Sequence, residues 1–123
     1  MKRLILDLDD TICHTVNGDY KNALPNTKVI NKIREYKNNG FEIVISTSRN
    51  VRTFDGNIGL INANTLPIII NWLVSNDVPY DEIYVGKPWC GNEGFYVDDK
   101  AIRPNEFEEY SIDEIKNLIT GKK

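Results

Sequence analysis

Short apolar runs that end in polar residues predict four β-strands. The first run, Leu4–Leu8, is nearly continuous in apolar residues, which is typical of a strand buried on both faces of a parallel sheet. The segment Phe41–Ser46 is rich in β-branched residues and predicts a second strand. Two shorter segments of similar character predict the third and fourth strands, Ile83–Gly86 and Phe95–Val97.

Apolar residues at helical spacing predict three helices. The first covers Asn26–Asn38, in which apolar residues recur at steps of three and four. The second is the mostly apolar segment Leu66–Val74, and the third follows a capping box at Ser111–Glu114. The polar stretch 49–64 is predicted as a loop, and a loop of that length in a small domain is often functional.

Strands that alternate with helices predict an α/β fold with three layers and an open, mostly parallel, Rossmann-like sheet. A chain of 123 residues suits one domain, so we expect a single domain over residues 1–123. The hydrophobic share of 41% and the charged share of 27% are ordinary for a globular protein and argue against disorder or a coiled coil.

Charge and hydropathy narrow the range of partners. The net charge of −3 provides no overall basic field, so we expect neither nucleic acid nor a membrane surface as a partner. The longest apolar run, near Leu66–Ile70, is too short to span a bilayer. Because Asp7 interrupts the first apolar run, a signal peptide is not predicted and a cytoplasmic location is expected. Cys13 and Cys90 are expected to be reduced, non-catalytic thiols.

Polar side chains follow each predicted strand. Ligands of open α/β sheets bind beyond the carboxyl ends of the strands, so these side chains are expected to converge on one site. They are Asp7, Asp9, Thr47, Lys87, Asp98 and Asp99. Asp7 and Asp9 are two residues apart in an extended segment, which points both carboxylates to one side and Leu8 to the other. Two close carboxylates either share a proton or hold a cation, and Mg²⁺ prefers such oxygen ligands.

The same set of groups suggests phosphoryl transfer. The Thr47 hydroxyl and the Lys87 ammonium are groups that a phosphate needs. A carboxylate nucleophile divides a very slow reaction into two steps through an aspartyl-phosphate. In this hypothesis Asp7 attacks phosphorus, while Asp9 protonates the leaving oxygen and then deprotonates water.

These motifs, in this order, resemble the four motifs of the haloacid-dehalogenase (HAD) superfamily. They are Asp7-Leu8-Asp9-Asp10-Thr11, then Thr47, then Lys87, then Asp98-Asp99. An aspartate at position 9 is a feature of the phosphatases and phosphomutases of that superfamily, and dehalogenases and P-type ATPases lack it. The resemblance therefore implies a HAD-like phosphatase, a hydrolase of phosphate monoesters.

The resemblance also implies residue roles. Asp7 is the nucleophile and a metal ligand, and Asp9 is the acid and base that binds the metal through its carbonyl group. Thr47 and Lys87 act in catalysis by holding the phosphoryl group, with Ser48 and Arg49 as further phosphate-binding candidates. The Asp98-Asp99 pair completes the Mg²⁺ site, and Asp99 is favoured for direct contact because many members have glycine at the position of Asp98.

The spacing of the motifs resembles that of HAD proteins without a cap domain. Each interval between motifs is filled by about one helix and its loops, which leaves an open site for a large substrate or for a neighbouring subunit of a homo-oligomer that acts as a lid. Small cap-less members linked to bacterial capsular-polysaccharide synthesis resemble this chain further, in Thr47–Asn50, Val85–Gly91 and Val97–Pro104. This implies a phosphosugar substrate from capsule or lipopolysaccharide synthesis.

Several alternatives stay open. Arg49 either pairs with an acid or binds a second anionic group of the substrate, and the second is slightly favoured. A phosphotransferase or mutase would use the same residues. A phospho-accepting receiver module is disfavoured because receivers place the acidic pair at the first strand and the acceptor at the third. A non-catalytic phosphosugar-binding subunit is disfavoured because every catalytic residue type is present.

Overall fold

The computed structural model describes residues 2–121, which form two compact units. The first unit ends at Trp89 and the second begins at Cys90. Each unit is described in turn.

A parallel sheet of three strands is the centre of the first unit. In chain order the strands of this unit are β1 (Arg3–Leu6), β2 (Cys13–His14), β3 (Leu24–Pro25), β4 (Glu42–Ser46) and β5 (Glu82–Tyr84). The sheet has the order β1-β4-β5, with Ile5 beside Val44 and Val44 beside Glu82. All three strands therefore end at the same edge, as the sequence predicts for the first three strands.

Burial differs between the strands of this sheet. Ile43, Val44 and Ile45 of the central strand β4 are all buried, so both faces of the sheet are covered there. In β1 the side chain of Ile5 is 60% exposed. The prediction that the first strand is buried on both faces is therefore wrong at Ile5. The physical reason is that β1 is an edge strand of the sheet that the described residues form, and no described element covers the sheet face at Ile5.

A small antiparallel hairpin follows β1 and was not predicted. Its strands β2 and β3 pair Cys13 with Pro25 and His14 with Leu24. A 3₁₀ turn, Tyr20–Asn22, lies between them. With two residues per strand, the hairpin is too short to leave an alternating pattern in the sequence.

Helices α1 (Thr27–Asn38), α2 (Ile58–Asn64) and α3 (Leu66–Ser75) complete the first unit. The sequence predicted α1 and α3 closely, but it assigned α2 to a loop. Helix α2 begins where Asn57 accepts a hydrogen bond from the backbone N–H of Leu60 at 3.2 Å. Ile58 and Ile61 have helical spacing, but this pair is too short to form an extended apolar stripe, and only Ile61 is buried. The interval between Thr47 and Lys87 therefore contains two helices instead of one.

Helix α3 supplies much of the core through its buried residues Ile69, Trp72 and Leu73. The indole N–H of Trp72 donates to the carbonyl oxygen of Ala23 at 2.9 Å, which satisfies the polar atom of a buried ring. In the described part of the chain no single helix is long and apolar enough to cross a membrane. Helices α2 and α3 together meet the length and composition requirement, with a bend of 41° between them.

The second unit contains helices α4 (Pro104–Glu109) and α5 (Ile112–Thr120). The predicted capping box of α5 is confirmed, since the Ser111 hydroxyl accepts from the Glu114 N–H and the Glu114 carboxylate accepts from the Ser111 N–H. Helix α4 was not predicted. It starts at Pro104, carries the acidic cluster of Glu106, Glu108 and Glu109, and buries only Phe107.

The predicted fourth strand, Phe95–Val97, is not formed in the second unit. The side chains of Phe95 and Val97 are 79% and 89% exposed. A strand needs ladder hydrogen bonds and a buried face as well as β-branched and aromatic residues, and this segment has neither in the described structure. The predicted α/β fold with a parallel sheet and flanking helices is confirmed, with three parallel strands in the described residues.

Candidate active site

A tight turn follows β1 and presents the first acidic pair. The carbonyl oxygen of Leu8 accepts backbone hydrogen bonds from Thr11, Ile12 and Cys13 at 3.3, 2.9 and 3.2 Å. The Leu8 side chain is fully buried, whereas Asp7 and Asp9 on either side of it are partly exposed. This agrees with the predicted alternation, in which both carboxylates point away from the core.

Asp7 lies in an environment that opposes its ionisation. Burial raises the pKa of Asp7 above its ordinary value, and this effect exceeds the lowering by the Lys87 charge and by the backbone N–H of Leu8. The neighbouring charges of Asp9 and Asp10 raise the pKa further. The charge of Lys87 therefore favours the ionised Asp7 carboxylate, although the two residues follow different strands.

The loops after β4 and β5 are held together by backbone hydrogen bonds. The N–H of Thr47 donates to the carbonyl oxygen of Tyr84 at 3.0 Å, and the N–H of Lys87 donates to the carbonyl oxygen of Thr47 at 3.1 Å. Gly86 has a φ of +81°, and a Cβ atom there would clash with Cδ1 of Ile58. Glycine therefore allows the chain to turn directly before Lys87.

Arg49 connects the loop after β4 to the turn after β1. Its Nε donates to Oδ2 of Asp9 at 3.1 Å, and its Nη2 donates to Oδ1 at 2.8 Å. Its backbone N–H donates to the Thr47 hydroxyl at 3.0 Å. Two alternatives were open for Arg49, and in the structure it pairs with an acid, Asp9. Contact with a substrate anion stays a prediction.

Two residues that were not predicted as site residues surround the Arg49 side chain. The Tyr20 ring stacks on the guanidinium, with 4.3 Å between its centroid and Cζ. The Cys13 sulfur lies 3.7 Å from Nη2 of Arg49 and 3.8 Å from Oδ1 of Asp9. Burial is the main reason that the pKa of Cys13 rises to about 12, which fits the predicted non-catalytic thiol. Tyr20 leaves no signal in the sequence, because its stacking depends on tertiary packing.

The structure thus brings together most of the predicted site residues. Asp7, Asp9, Thr47, Arg49 and Lys87 are joined by the hydrogen bonds and charges described above, at the carboxyl ends of β1, β4 and β5. Ser48 lies in the same loop, half-buried, and its carbonyl oxygen accepts from Val51 at 3.0 Å. Its predicted contact with phosphate stays a prediction.

The second acidic pair lies in the second unit. Asp98 and Asp99 are both exposed, and Oδ1 of Asp98 accepts a hydrogen bond from the backbone N–H of Lys100 at 2.9 Å. This contact closes a local turn. The predicted role of the pair as metal ligands stays a prediction.

The donor atoms of Asp7 and Asp9 fit a hard cation. Asp7 offers a half-buried carboxylate, and Asp9 offers its main-chain carbonyl and a carboxylate of which each oxygen accepts one hydrogen bond from Arg49. Mg²⁺ is commonly held by one or two protein oxygens together with water and substrate phosphate. Within residues 2–121 no group of three or more His, Cys, Asp or Glu side chains is arranged to hold a metal ion.

Comparison with known proteins identifies the family of this chain. The sequence family described as haloacid dehalogenase-like hydrolase matches residues 4–119. A crystal structure of a structural-genomics target from Vibrio cholerae is 56% identical, covers 100% of both chains and superimposes with a TM-score of 0.97. A chain in the structure of a Pnkp1/Rnl/Hen1 complex is 23% identical and shares the fold, with a TM-score of 0.52 over 88% of this chain and 33% of that chain. No curated protein matches the chain.

The family match includes the turn after β1, both loops that carry Thr47 and Lys87, and the segment that carries the second acidic pair. It extends across both compact units. The chain therefore belongs to the haloacid dehalogenase-like hydrolase family.

Proposed function

We propose that this protein is a Mg²⁺-dependent phosphomonoester hydrolase that works through an aspartyl-phosphate on Asp7. The observation that carries the proposal is the pairing of two differently held carboxylates at one sheet edge. Asp7 lies half-buried beside Lys87, and Asp9 is fixed by Arg49. Carboxylates that are close together but differ in environment suit separate nucleophile and acid–base roles.

In the first step, a carboxylate oxygen of Asp7 attacks the phosphorus atom. An O–P bond to Asp7 forms while the P–O bond to the leaving group breaks, and the Asp9 carboxyl gives its proton to the departing oxygen. The partial burial of Asp7 supports this role because a poorly solvated carboxylate is a better nucleophile than a fully hydrated one. Lys87 and the Thr47 hydroxyl hold the oxygens of the transferring group.

In the second step, water attacks the phosphorus of the acyl phosphate. The Asp9 carboxylate accepts a proton from that water, the bond to Asp7 breaks, and inorganic phosphate leaves. The Asp7 carboxylate is regenerated, so one aspartate serves as nucleophile and the other as acid and then base.

Mg²⁺ would supply positive charge that offsets the charge of the phosphoryl oxygens. We propose the Asp7 carboxylate and the Asp9 main-chain carbonyl as its ligands in the first unit, with Asp98 or Asp99 as a further ligand. The donor types suit this ion, since all of them are hard oxygens.

We propose a phosphosugar of capsule or lipopolysaccharide synthesis as the substrate. The short intervals between the motifs support a large substrate, because in the described residues they hold only the β2–β3 hairpin, α1, α2 and α3 and no cap domain. A second copy of the chain in a homo-oligomer is our proposed lid.

Phosphate release from an aryl phosphate and from a panel of sugar phosphates tests the proposal. The native protein and Asp7→Asn are compared with Mg²⁺ and with a chelator. Asp113→Asn, which alters an exposed acid in the first turn of α5, is the matched control. We expect turnover by the native and control proteins with Mg²⁺, and none by Asp7→Asn or with chelator.

Other outcomes would redirect the proposal. Turnover that persists in Asp7→Asn would exclude the aspartyl-phosphate. Absence of phosphate release from every ester, together with stable phosphorylation of Asp7 by a small acyl phosphate, would indicate a phosphotransferase or a phospho-accepting module.

A further inference from the structure

The Arg49 side chain is buried beside the acid–base candidate and engages it with two hydrogen bonds. Its Nε and Nη2 atoms form a fork on the two carboxylate oxygens of Asp9, at 3.1 and 2.8 Å. Two parallel N–H donors fix both the position and the plane of a carboxylate, which a single donor cannot do. Asp9 therefore has one preferred orientation.

Three further contacts hold Arg49, two at its guanidinium and one at its main chain. Tyr20 stacks on its face at 4.3 Å, and the Cys13 sulfur accepts from Nη2 at 3.7 Å. The Arg49 main chain is fixed by its N–H bond to the Thr47 hydroxyl. The ring face of the guanidinium, its Nη2 atom and the Arg49 main chain are thus each held by a contact.

The Arg49 side chain is closed to solvent. Nη1 is buried and has no hydrogen-bond partner among the described residues. The Arg49 side chain as a whole is only 2% exposed, compared with 32% for that of Asp9. Asp9 is therefore more accessible than Arg49 to a phosphate.

We infer that Arg49 is a positioning residue that aims the Asp9 carboxyl at the leaving-group oxygen and then at water, and that it does not bind the substrate. This inference rests on the proposed function. It also assigns Tyr20 a supporting role, as the ring that keeps the guanidinium in the plane of the Asp9 carboxylate.

The dependence on the leaving group distinguishes positioning from substrate binding. A nitrophenolate departs without a proton, whereas an alkoxide from an alkyl or sugar phosphate needs one. In the first chemical step, which kcat/KM reports, a residue that acts through Asp9 should therefore matter for the alkyl or sugar ester and little for the nitrophenyl ester. A residue that binds phosphate should matter equally for both.

The experiment measures kcat and KM for para-nitrophenyl phosphate and for glycerol phosphate. The proteins are the native chain, Arg49→Lys, Asp9→Asn and the double variant. We expect Arg49→Lys to lower kcat/KM for glycerol phosphate by about 10- to 100-fold, the range typical of residues that orient a functional group. For the nitrophenyl ester we expect kcat/KM to fall by less than about threefold, because kcat/KM covers the steps up to departure of the leaving group and excludes the later attack of water.

The double variant tests whether Arg49 acts through Asp9. If it does, Arg49→Lys has no further effect on glycerol phosphate once Asp9 is Asn. Arg3→Lys is the matched control, because Arg3 pairs with Glu42 and Glu82 in the same sheet, away from the turn after β1. Its kinetics should match those of the native protein.

Since Arg49 is buried, Arg49→Lys could fail to fold, and Tyr20→Leu is the second variant. It leaves the fork in place but removes the ring on which the guanidinium stacks. We expect a smaller loss that is still confined to glycerol phosphate, and thermal unfolding of every variant is recorded beside its kinetics.

Three results would overturn the inference. They are a rise in KM for both esters in Arg49→Lys, equal losses of kcat/KM for both esters, and an undiminished effect of Arg49→Lys in the Asp9→Asn background. Failure of the native protein to hydrolyse either ester would overturn the proposed function and this role with it. That outcome is distinguishable because it appears before any variant is compared.

Discussion

The two acidic pairs of this chain differ in how the fold holds them. Asp7 and Asp9 follow a strand of the parallel sheet, and each is engaged by a side chain from another loop, Lys87 or Arg49. Asp98 and Asp99 follow a segment that forms no strand in the described structure, and both are exposed. The first pair is thus oriented by tertiary contacts, whereas the contact made by the second is a local turn.

This difference indicates how the proposed chemistry is divided. A nucleophile and an acid–base group need orientation within fractions of an ångström, which a sheet edge and a bidentate arginine provide. A metal ligand can be supplied by a segment with fewer constraints, because the cation itself gathers its ligands. The following predictions test whether the two pairs differ in this way, from the largest expected effect to the smallest.

Asp7→Asn should lower kcat by at least about 10³-fold, because it removes the nucleophile. The same variant should unfold at a higher temperature than the native protein in metal-free buffer at neutral pH. Burial raises the folded-state pKa of Asp7, so the stability that this residue contributes is present at low pH and is lost as the pH rises through that pKa. A lower melting temperature would contradict this account of Asp7.

Core residues of the first unit should tolerate truncation far less than the exposed segment of the second. Leu73→Ala should lower the free energy of unfolding by about 2–5 kcal/mol, because Leu73 is fully buried. Val97→Ala should change it by less than about 0.5 kcal/mol, because Val97 is 89% exposed. Urea denaturation measures both, and a large loss in Val97→Ala would show that this segment is buried in solution.

The two thiols should differ in reactivity. The pKa of Cys13 is raised to about 12, chiefly by burial, so its thiolate is scarce at pH 8, whereas Cys90 is partly exposed. We expect iodoacetamide to modify Cys90 at least about 100-fold faster than Cys13 in the native protein. Peptide mass spectrometry after timed quenching gives both rates, and equal rates would contradict the burial of Cys13.

Asp99→Asn should lower activity by about 10- to 100-fold at limiting Mg²⁺, with recovery at high Mg²⁺, if the second pair contributes a metal ligand. Asp98→Asn should have the smaller effect, because its carboxylate is engaged by the Lys100 N–H. Activity measured against Mg²⁺ concentration distinguishes the two. Unchanged Mg²⁺ dependence in both variants would remove the second pair from the site.

Asp81→Asn should remove a small part of the acid sensitivity of the fold. Hydrogen bonds from the backbone N–H of Ile43 and from Lys37 lower the pKa of Asp81 below its ordinary value. Its contribution to stability is therefore present above the unfolded-state pKa and is lost as the pH falls through the folded-state pKa. Melting temperatures from about pH 5 to about pH 2 should fall less steeply in the variant, and an unchanged slope would contradict this.

The sequence predicted the local features of the fold well. Helix α1 and the capping box of α5 depend on residues close together in the chain, so their signals can be read directly. The segment Phe95–Val97 shows the opposite case. Its composition favours a strand, but strand formation depends on a partner strand and a buried face, which the segment itself does not encode.

The site was predictable for a similar reason, and only in part. Parallel strands end at one edge of the sheet, so residues that directly follow such strands can be predicted to lie close together. This applies to Asp7, Asp9, Thr47 and Lys87. The partner of Arg49 was not predictable, because a buried guanidinium and an exposed one look alike in sequence. Tyr20 was not predicted, because the strands of the hairpin that carries it are too short to show an alternating sequence pattern.

The two tryptophans give the molecule a built-in optical reporter. Trp72 is buried and its indole N–H is bonded to the Ala23 carbonyl, whereas Trp89, the last residue of the first unit, is 42% exposed. Their fluorescence emission should therefore differ in wavelength and in accessibility to a quencher such as acrylamide. A Trp89→Phe variant retains only the fluorescence of the buried Trp72. The difference between the native spectrum and the variant spectrum therefore reports on Trp89, at the end of the first unit, during a titration with substrate or Mg²⁺.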